Sequence, residues 1–196
     1  SADYIIHLAG AGVVEKKWTA AYKKEIVESR TGSSRLLIKA LKENTNNIKA
    51  VVSASAIGWY GADDDRIIPF TENDRPDDGV LGPTCKLWEA SVEPMEELGK
   101  RLVKLRTGIV LSNDGGALTE FKKPIRLGAA AILGNGKQVV SWIHIDDHCR
   151  MFIAGIENEK MKGIYNAVAP ERVSNKELTV TLARAMKGRL YVPEHV

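Results

Sequence analysis

A chain of 196 residues, 44% hydrophobic and 27% charged, is long enough for one domain with a real core and too short to expect two. Its formal net charge of +3 is spread along the chain. Pairs such as Lys16-Lys17 and Lys122-Lys123 read as solvated faces, and without a dense basic stripe nucleic-acid binding is not expected. Two cysteines, Cys85 and Cys149, make no disulfide framework and no Cys/His metal spacing. His144 and His148 stand at i, i+4 but outside an HExxH pattern, so no metal site is expected. With no charged leader and no run long enough to span a bilayer, the expectation is a cytoplasmic protein without a membrane partner.

Tyr4-Ile5-Ile6-His7-Leu8-Ala9 reads as a buried strand that runs into Gly10-Ala11-Gly12. Thr19 can cap a helix to about Arg30, and a second helical pattern covers Leu36, Leu37, Ala40 and Leu41. Residues 50–55 form the next strand, followed by an Asp-rich loop from Asp63 to Asp78 that holds Pro69 and Pro76. A helix starts near Pro83 or Thr84, carries Cys85, Leu87, Trp88 and Val92, and is kinked or ended by Pro94. Trp88 lies on an apolar stripe with Cys85 and Val92 and is expected to be buried.

Residues 102–106 and 141–145 are strand-like, and Asp146 or Asp147 can start a helix to about Ile156. Residues 163–168 make a last core strand. Ser174-Asn175-Lys176-Glu177 is a capping box for a helix that Gly188 can end. Apolar strands separated by helices imply an α/β fold, a doubly wound parallel sheet covered on both faces, with ligands beyond the carboxyl ends of its strands.

A dinucleotide-binding sheet of that kind normally opens with a strand, a G-x-G-x-x-G turn and a helix. Gly10-Ala11-Gly12-Val13-Val14-Glu15 repeats two of the glycines but sets a carboxylate where a third small residue is needed, and no helix follows at once. It reads as a strand-end loop. Gly115-Gly116 has no strand immediately before it and no third glycine. On this reading the chain is a single Rossmann-like domain fragment over 1–196 without its first strand-turn-helix, its substrate-side elements lying mainly after residue 110.

Several stretches occur in the order found in extended short-chain dehydrogenases. They are His7-Leu8-Ala9-Gly10, Val52-Ser53-Ala54-Ser55-Ala56 with Tyr60-Gly61, residues 105–111, and Trp142-Ile143-His144-Ile145-Asp146-Asp147. Trp18, Ser29-Arg30, Cys85-Lys86-Leu87-Trp88-Glu89 and Gly115-Gly116-Ala117-Leu118 narrow the match. Together they resemble the sugar-nucleotide epimerase-like proteins known as the YfcH or SDR39U1-like family.

The resemblance implies a site. Leu8, Ala9, Gly10 and Ala11 would follow a strand where small residues let the backbone approach a cofactor; the alternative is a plain tight strand exit. Ser53 and Ala54 would lie at the nicotinamide end of the next strand. Ser55 matches the position whose hydroxyl meets the substrate oxygen, or is a small residue chosen for packing. Members of the wider family place Tyr-x-x-x-Lys on the following helix, so that lysine can depress the tyrosine pKa. Here Cys85 and Glu89 take those places, as in the narrower family, leaving acid–base work to Glu89 or Tyr60, or else a helix with a solvated Glu.

Arg106, Thr107, Gly108 and Ile109 would close over the nicotinamide, Arg106 alternatively pairing with a loop carboxylate. Trp142 and His144 would line or buttress the substrate side, or His144 would be a buried, hydrogen-bonded core residue. Asp146 and Asp147 serve equally as helix caps. The implied cofactor is NADP or NAD and the partner a small-molecule substrate, with a homodimer left open. The implied function is an NAD(P)-dependent epimerase or oxidoreductase acting by hydride transfer on a sugar nucleotide or a small carbonyl or hydroxyl compound. The alternative is an NAD(P)-binding sensor or interaction module without redox turnover.

Overall fold

In chain order the elements are β1 (Tyr4–His7), α1 (Ala20–Glu43), β2 (Ala50–Ala56), a 3-10 turn (Ile57–Tyr60), α2 (Leu81–Val92), α3 (Pro94–Glu97), β3 (Arg101–Thr107), β4 (Ile109–Ser112), β5 (Gly115–Gly116), α4 (Ala117–Arg126), β6 (Val139–Val140), β7 (Trp142–His144), α5 (Ile145–Glu157), β8 (Gly163–Ala167), β9 (Val173–Ser174) and α6 (Asn175–Ala185). The structure, a computed structural model, describes residues 2–62, 68–128, 130 and 132–186. The described residues divide into two compact units, the first 2–62, 68–107 and 150–166, the second 108–128, 130, 132–149 and 167–186.

The first unit is built on a sheet in the order β1-β2-β3-β8. β1 pairs with β2, and β2 with β3, in parallel. This is the α/β, Rossmann-like sheet that the sequence predicts. Register sets Ile5 beside Val51 and His7 beside Ser53, then Val51 beside Leu102, Ser53 beside Lys104 and Ser55 beside Arg106. Side chains alternate along a strand, so all of these share one face. At the amino ends that face is apolar: Val51 and Leu102 form a core with Ile48, Val92 and Met95, joined by Ile5 and by Leu37, Ile38 and Leu41 of α1. At the carboxyl ends the same face carries His7, Ser53, Ser55, Lys104 and Arg106, all buried. Directional partners replace apolar contact there, because a buried polar group without one is costly. Lys104 Nζ, for example, donates to Glu93 Oε1 at 2.9 Å.

Helix α1 is continuous where the sequence predicts two helical patterns. Gly32 interrupts the apolar run but not the backbone, because Tyr22, Ile26, Arg30 and Ser34 keep a four-residue buried stripe across it. Thr19 caps it as expected, its hydroxyl accepting from the Tyr22 amide at 3.2 Å. Helix α2 begins at Leu81, two residues before Pro83, which the first turn tolerates because its amide would be unpaired there anyway. Pro94 ends that run by opening α3. Trp88 is buried, as its spacing predicts.

In the second unit β4 pairs in parallel with β7 and antiparallel with β5, and β6 pairs antiparallel with β9. These strands of two to four residues are too short to show a period in the sequence. Gly115-Gly116, read as having no strand before it, is instead the return strand of a hairpin from β4. Ile125, Ala130 and Ala183 form a small core with Leu182 and Met186. The capping box is present: Ser174 Oγ accepts from the Glu177 amide at 3.2 Å and the Ser174 amide donates to Glu177 Oε2 at 2.8 Å. Helix α6 ends at Ala185, and Gly188 lies outside the described residues.

Candidate active site

The polar end of the sheet face converges on Glu89 of α2. Arg106, with an exposure of 0%, donates from Nε to Glu89 Oε1 at 2.8 Å and from Nη2 to Oε2 at 3.0 Å. This side-on fork is the strongest geometry that a guanidinium and a carboxylate can make. Ser55 Oγ donates to the same Glu89 Oε1 at 2.7 Å. Arg106 Nη1 donates to the Tyr60 hydroxyl at 3.0 Å and to the Glu72 carbonyl at 3.1 Å. Its guanidinium also stacks on the Trp59 ring, 3.8 Å from the centroid. The Tyr60 hydroxyl donates to Asn166 Oδ1 at 2.7 Å, and Glu72 Oε1 accepts from the Asn166 amide at 2.7 Å. Phe70 stacks on Tyr60 at 4.8 Å between centroids.

Four of the positions singled out from the sequence as catalytic or cofactor-side, Ser55, Tyr60, Glu89 and Arg106, are thus one hydrogen-bonded chain. Glu89 is not the solvated residue of the alternative reading: it is 4% exposed, because the fork and the serine hydroxyl satisfy it inside the protein. Arg106 pairs with a helix carboxylate, and what it takes from the loop is a carbonyl.

Electrostatics follow from burial and these partners. Burial works against the charge of Arg106, but hydrogen bonds to Glu89 and Tyr60 more than restore it and raise its pKa. Burial pushes the Tyr60 hydroxyl up despite the Arg106 hydrogen bond. Cys85, whose thiol donates to the Ala56 carbonyl at 3.6 Å, is pushed up to about 11 by burial and then by the Glu89 charge. It stays a thiol near neutrality, where a lysine-assisted tyrosine would have its pKa depressed. His7 is lowered by burial, its ring nitrogens against Ser53 Oγ at 3.3 Å and Ser33 Oγ at 3.0 Å.

At the end of β1, Leu8, Ala9 and Gly10 are exposed and Ala11 is half-buried. The loop is tied to α1: the Ala11 amide donates to Ser29 Oγ at 2.9 Å, the Ala11 carbonyl accepts from Arg30 Nη1 at 3.1 Å, and the Gly12 carbonyl accepts from the Tyr22 hydroxyl. A Cβ at Gly10 would stand 2.9 Å from Arg30 Cζ, so the backbone lies directly on that guanidinium. Ser53 meets His7, Ala54 is half-buried, and Thr107 Oγ1 donates to the Leu105 carbonyl at 3.3 Å. Exposed backbone at Leu8 to Gly10, with small side chains at Ala9, Ala54 and Ala56, suits the ribose and ring end of a dinucleotide at the carboxyl edge.

Gly108, Ile109, Trp142 and His144 lie in the second unit. Ile109 pairs with Trp142 and Leu111 with His144. A Cβ at Gly108 would meet the Ser141 carbonyl oxygen at 2.5 Å, which gives that glycine a packing reason of its own. His144 is not the buried core histidine expected as one alternative. Its side chain is 51% exposed, at the end of a short strand, and its Nδ1 accepts from the Asp146 amide at 3.2 Å in the first turn of α5. Asp146 and Asp147 stand in that first turn.

The sequence reading missed Trp59, Glu72 and Asn166, and gave Arg30 no role. The signal for Arg30 was present: an arginine repeating the buried stripe of Tyr22 and Ile26 is a charge on a core face. No local pattern marks the other three: Trp59 and Glu72 meet Arg106, and Asn166 meets Tyr60, across long stretches of chain.

Comparison with known proteins supports the resemblance. The profile of the NAD dependent epimerase/dehydratase family matches residues 1–84, the stretch with Leu8 to Ala11, Ser55 and Tyr60. An epimerase family protein of Staphylococcus aureus is 38% identical over 186 residues, covering 94% of this chain and 61% of the relative. The crystal structure of human epimerase family protein SDR39U1 (isoform 2) with NADPH superposes with a TM-score of 0.87 at 28% identity, over 98% of this chain and 65% of that one. The nucleoside-diphosphate sugar epimerase of Corynebacterium glutamicum gives 0.80 at 35% identity, over 94% and 38%. The chain spans about three fifths of the length of the curated relatives it matches. No helix among the described residues is long and apolar enough to cross a membrane, and no cluster of metal-ligating side chains stands among them.

Proposed function

We propose that this chain carries the nicotinamide-side half of an NAD(P)-dependent epimerase-like oxidoreductase acting on a sugar nucleotide or a small carbonyl or hydroxyl compound. The observation that carries this reading is the chain Ser55–Glu89–Arg106 at the carboxyl end of a parallel sheet, where folds of this kind hold their ligands. Relatives and structural neighbours described as epimerases, one of them with NADPH, support it.

Leu8 to Gly10 and Ala54 would hold the cofactor, whose nicotinamide would accept or return a hydride, with Ser53, sealed against His7, positioning the strand end behind them. Ser55 takes the substrate's hydroxyl proton on Oγ as it passes its own proton to Glu89 Oε1, 2.7 Å away, and the same path returns a proton to a carbonyl oxygen. Arg106 holds the Glu89 carboxylate in the fork that aims Oε1 at the serine. Cys85, kept a thiol near neutrality by burial and the Glu89 charge, is given no proton-transfer role in this reading.

A second reading, an NAD(P)-binding module without redox turnover, is favoured by one observation: Ser55 is 2% exposed and its proton is already engaged by Glu89. Titration of the whole protein with NADPH, followed by an absorbance assay against carbonyl compounds and sugar nucleotides, separates the two. Binding with turnover is expected. Binding without turnover favours the module, and no binding overturns both.

A further inference from the structure

Two arginines are buried on this side of the first unit, and only one of them pairs with a carboxylate among the described residues. The side-on edge of Arg106, Nε with Nη2, is filled by Glu89. Arg30 is 8% exposed and has no carboxylate partner among the described residues. Its Nη1 hydrogens go to the Ala11 carbonyl at 3.1 Å and the Ile26 carbonyl at 2.9 Å. Its guanidinium stands over the Trp88 ring, 4.7 Å from the centroid, and a Cβ at Gly10 would meet its Cζ at 2.9 Å. That leaves Nε–H and both Nη2 hydrogens, the bidentate edge, without an acceptor among the described residues. Nε1 of Trp88 and Nε1 of Trp142 are the only described side-chain nitrogens or oxygens both sealed from solvent and unpartnered, so the Arg30 edge reaches the surface. The Trp88 donor without an acceptor belongs to the very ring on which Arg30 stacks.

We propose that Arg30 is an anion-binding residue of the site and takes two oxygens of a phosphate or carboxylate on its Nε–Nη2 edge, at the exposed Gly10 end of β1. A guanidinium held by stacking and two carbonyls, with its fork left open, is pre-organised for a planar, two-oxygen acceptor. The Glu15 carboxylate packs over Gly12 further along the loop, which confines an anion to the Gly10 side. The inference rests on the proposed NAD(P)-dependent function for its two sources of anion, a cofactor phosphate or an acidic group of the substrate.

The test uses the whole protein as wild type, Arg30→Met and Arg30→Lys. NADPH affinity is read by fluorescence titration, and inorganic phosphate binding by calorimetry on the free and the NADPH-saturated protein. The methionine variant is expected to lose about tenfold or more in one arm. Loss of NADPH affinity identifies a cofactor phosphate, and loss confined to phosphate binding on the saturated protein identifies the substrate's acidic group. Both arms within about twofold of wild type overturn the proposal. Should Arg30→Met not fold, Arg30→Lys decides: it keeps the charge but not the fork, so a fall of about threefold or more supports the assignment and an unchanged value overturns it. A wild type that ignores NADPH but binds phosphate through Arg30 would defeat the functional reading and leave this one standing.

Discussion

Along one face of the same sheet the amino and carboxyl ends of the strands are built on different principles. At the amino ends Ile5, Val51 and Leu102 pack on Val92 and Met95, contacts that any well-fitting apolar side chains could make. At the carboxyl ends, two to four residues along the same strands, His7, Ser55 and Arg106 meet Ser33, Glu89 and Tyr60 through hydrogen bonds with one workable geometry each. Burial is as deep at both ends. A fold that needed only stability would have no reason to change chemistry along one face, since a buried ion pair stabilises no more than apolar residues of its size. The ordered polarity at the carboxyl edge is what the proposed function accounts for.

The largest expected effect breaks the polar end by removing one partner. Arg106→Met leaves the Glu89 carboxylate buried and unpaired, and should cost about 3–5 kcal/mol in urea unfolding. Adding Glu89→Leu should recover most of that loss. A double variant as unstable as the single one would show that the pair is not what suffers. The apolar end supplies the contrast. Leu102→Ala should cost about 2–5 kcal/mol through transfer and cavity terms, yet leave NADPH affinity of the whole protein unchanged. A parallel fall in affinity would erase the distinction between the two ends.

The smallest effect is a pH dependence. Burial, then Glu89, raises the Cys85 thiol from its ordinary value of 9.0 to about 11, so folding favours the protonated form. That contribution is complete below pH 9 and is lost as pH rises through 11, by about 2 kcal/mol. Unfolding free energies of wild type and Cys85→Ala, compared at pH 8 and pH 11, should diverge by that amount. Equal pH dependence in the two would place the thiol in a wetter environment than the structure shows.

What could be read in advance was what is local. Thr19 as a cap, the Ser174–Glu177 box and the buried stripe of Trp88 each depend on residues within one helical turn, and each stands as expected. Parallel apolar strands gave the sheet. Residues 105–111 and 141–145 were seen as motifs, but β4, β5, β6 and β9 are too short for any period to accumulate. Ser55, Tyr60, Glu89 and Arg106 stand out in the sequence only singly, through family resemblance. That Glu89 of α2 faces inward could not be read, since its burial depends on Arg106 of β3, 17 residues away. The buried alternative for His144 fails in the opposite sense, because its strand ends at the surface.

The central claim, that the Ser55–Glu89–Arg106 chain is working machinery and not scaffolding, is tested most directly by Ser55→Ala in the whole protein. Single-turnover hydride transfer and NADPH affinity are measured on the same preparation, with a substrate found in the panel assay. Removing the one hydroxyl between Glu89 and the reacting oxygen should slow transfer about a hundredfold to a thousandfold, a loss of about 2.7–4 kcal/mol. Cofactor affinity should stay within about twofold, because the short side chain reaches the reacting centre and not the phosphates. A variant that transfers hydride as fast as wild type would contradict the account.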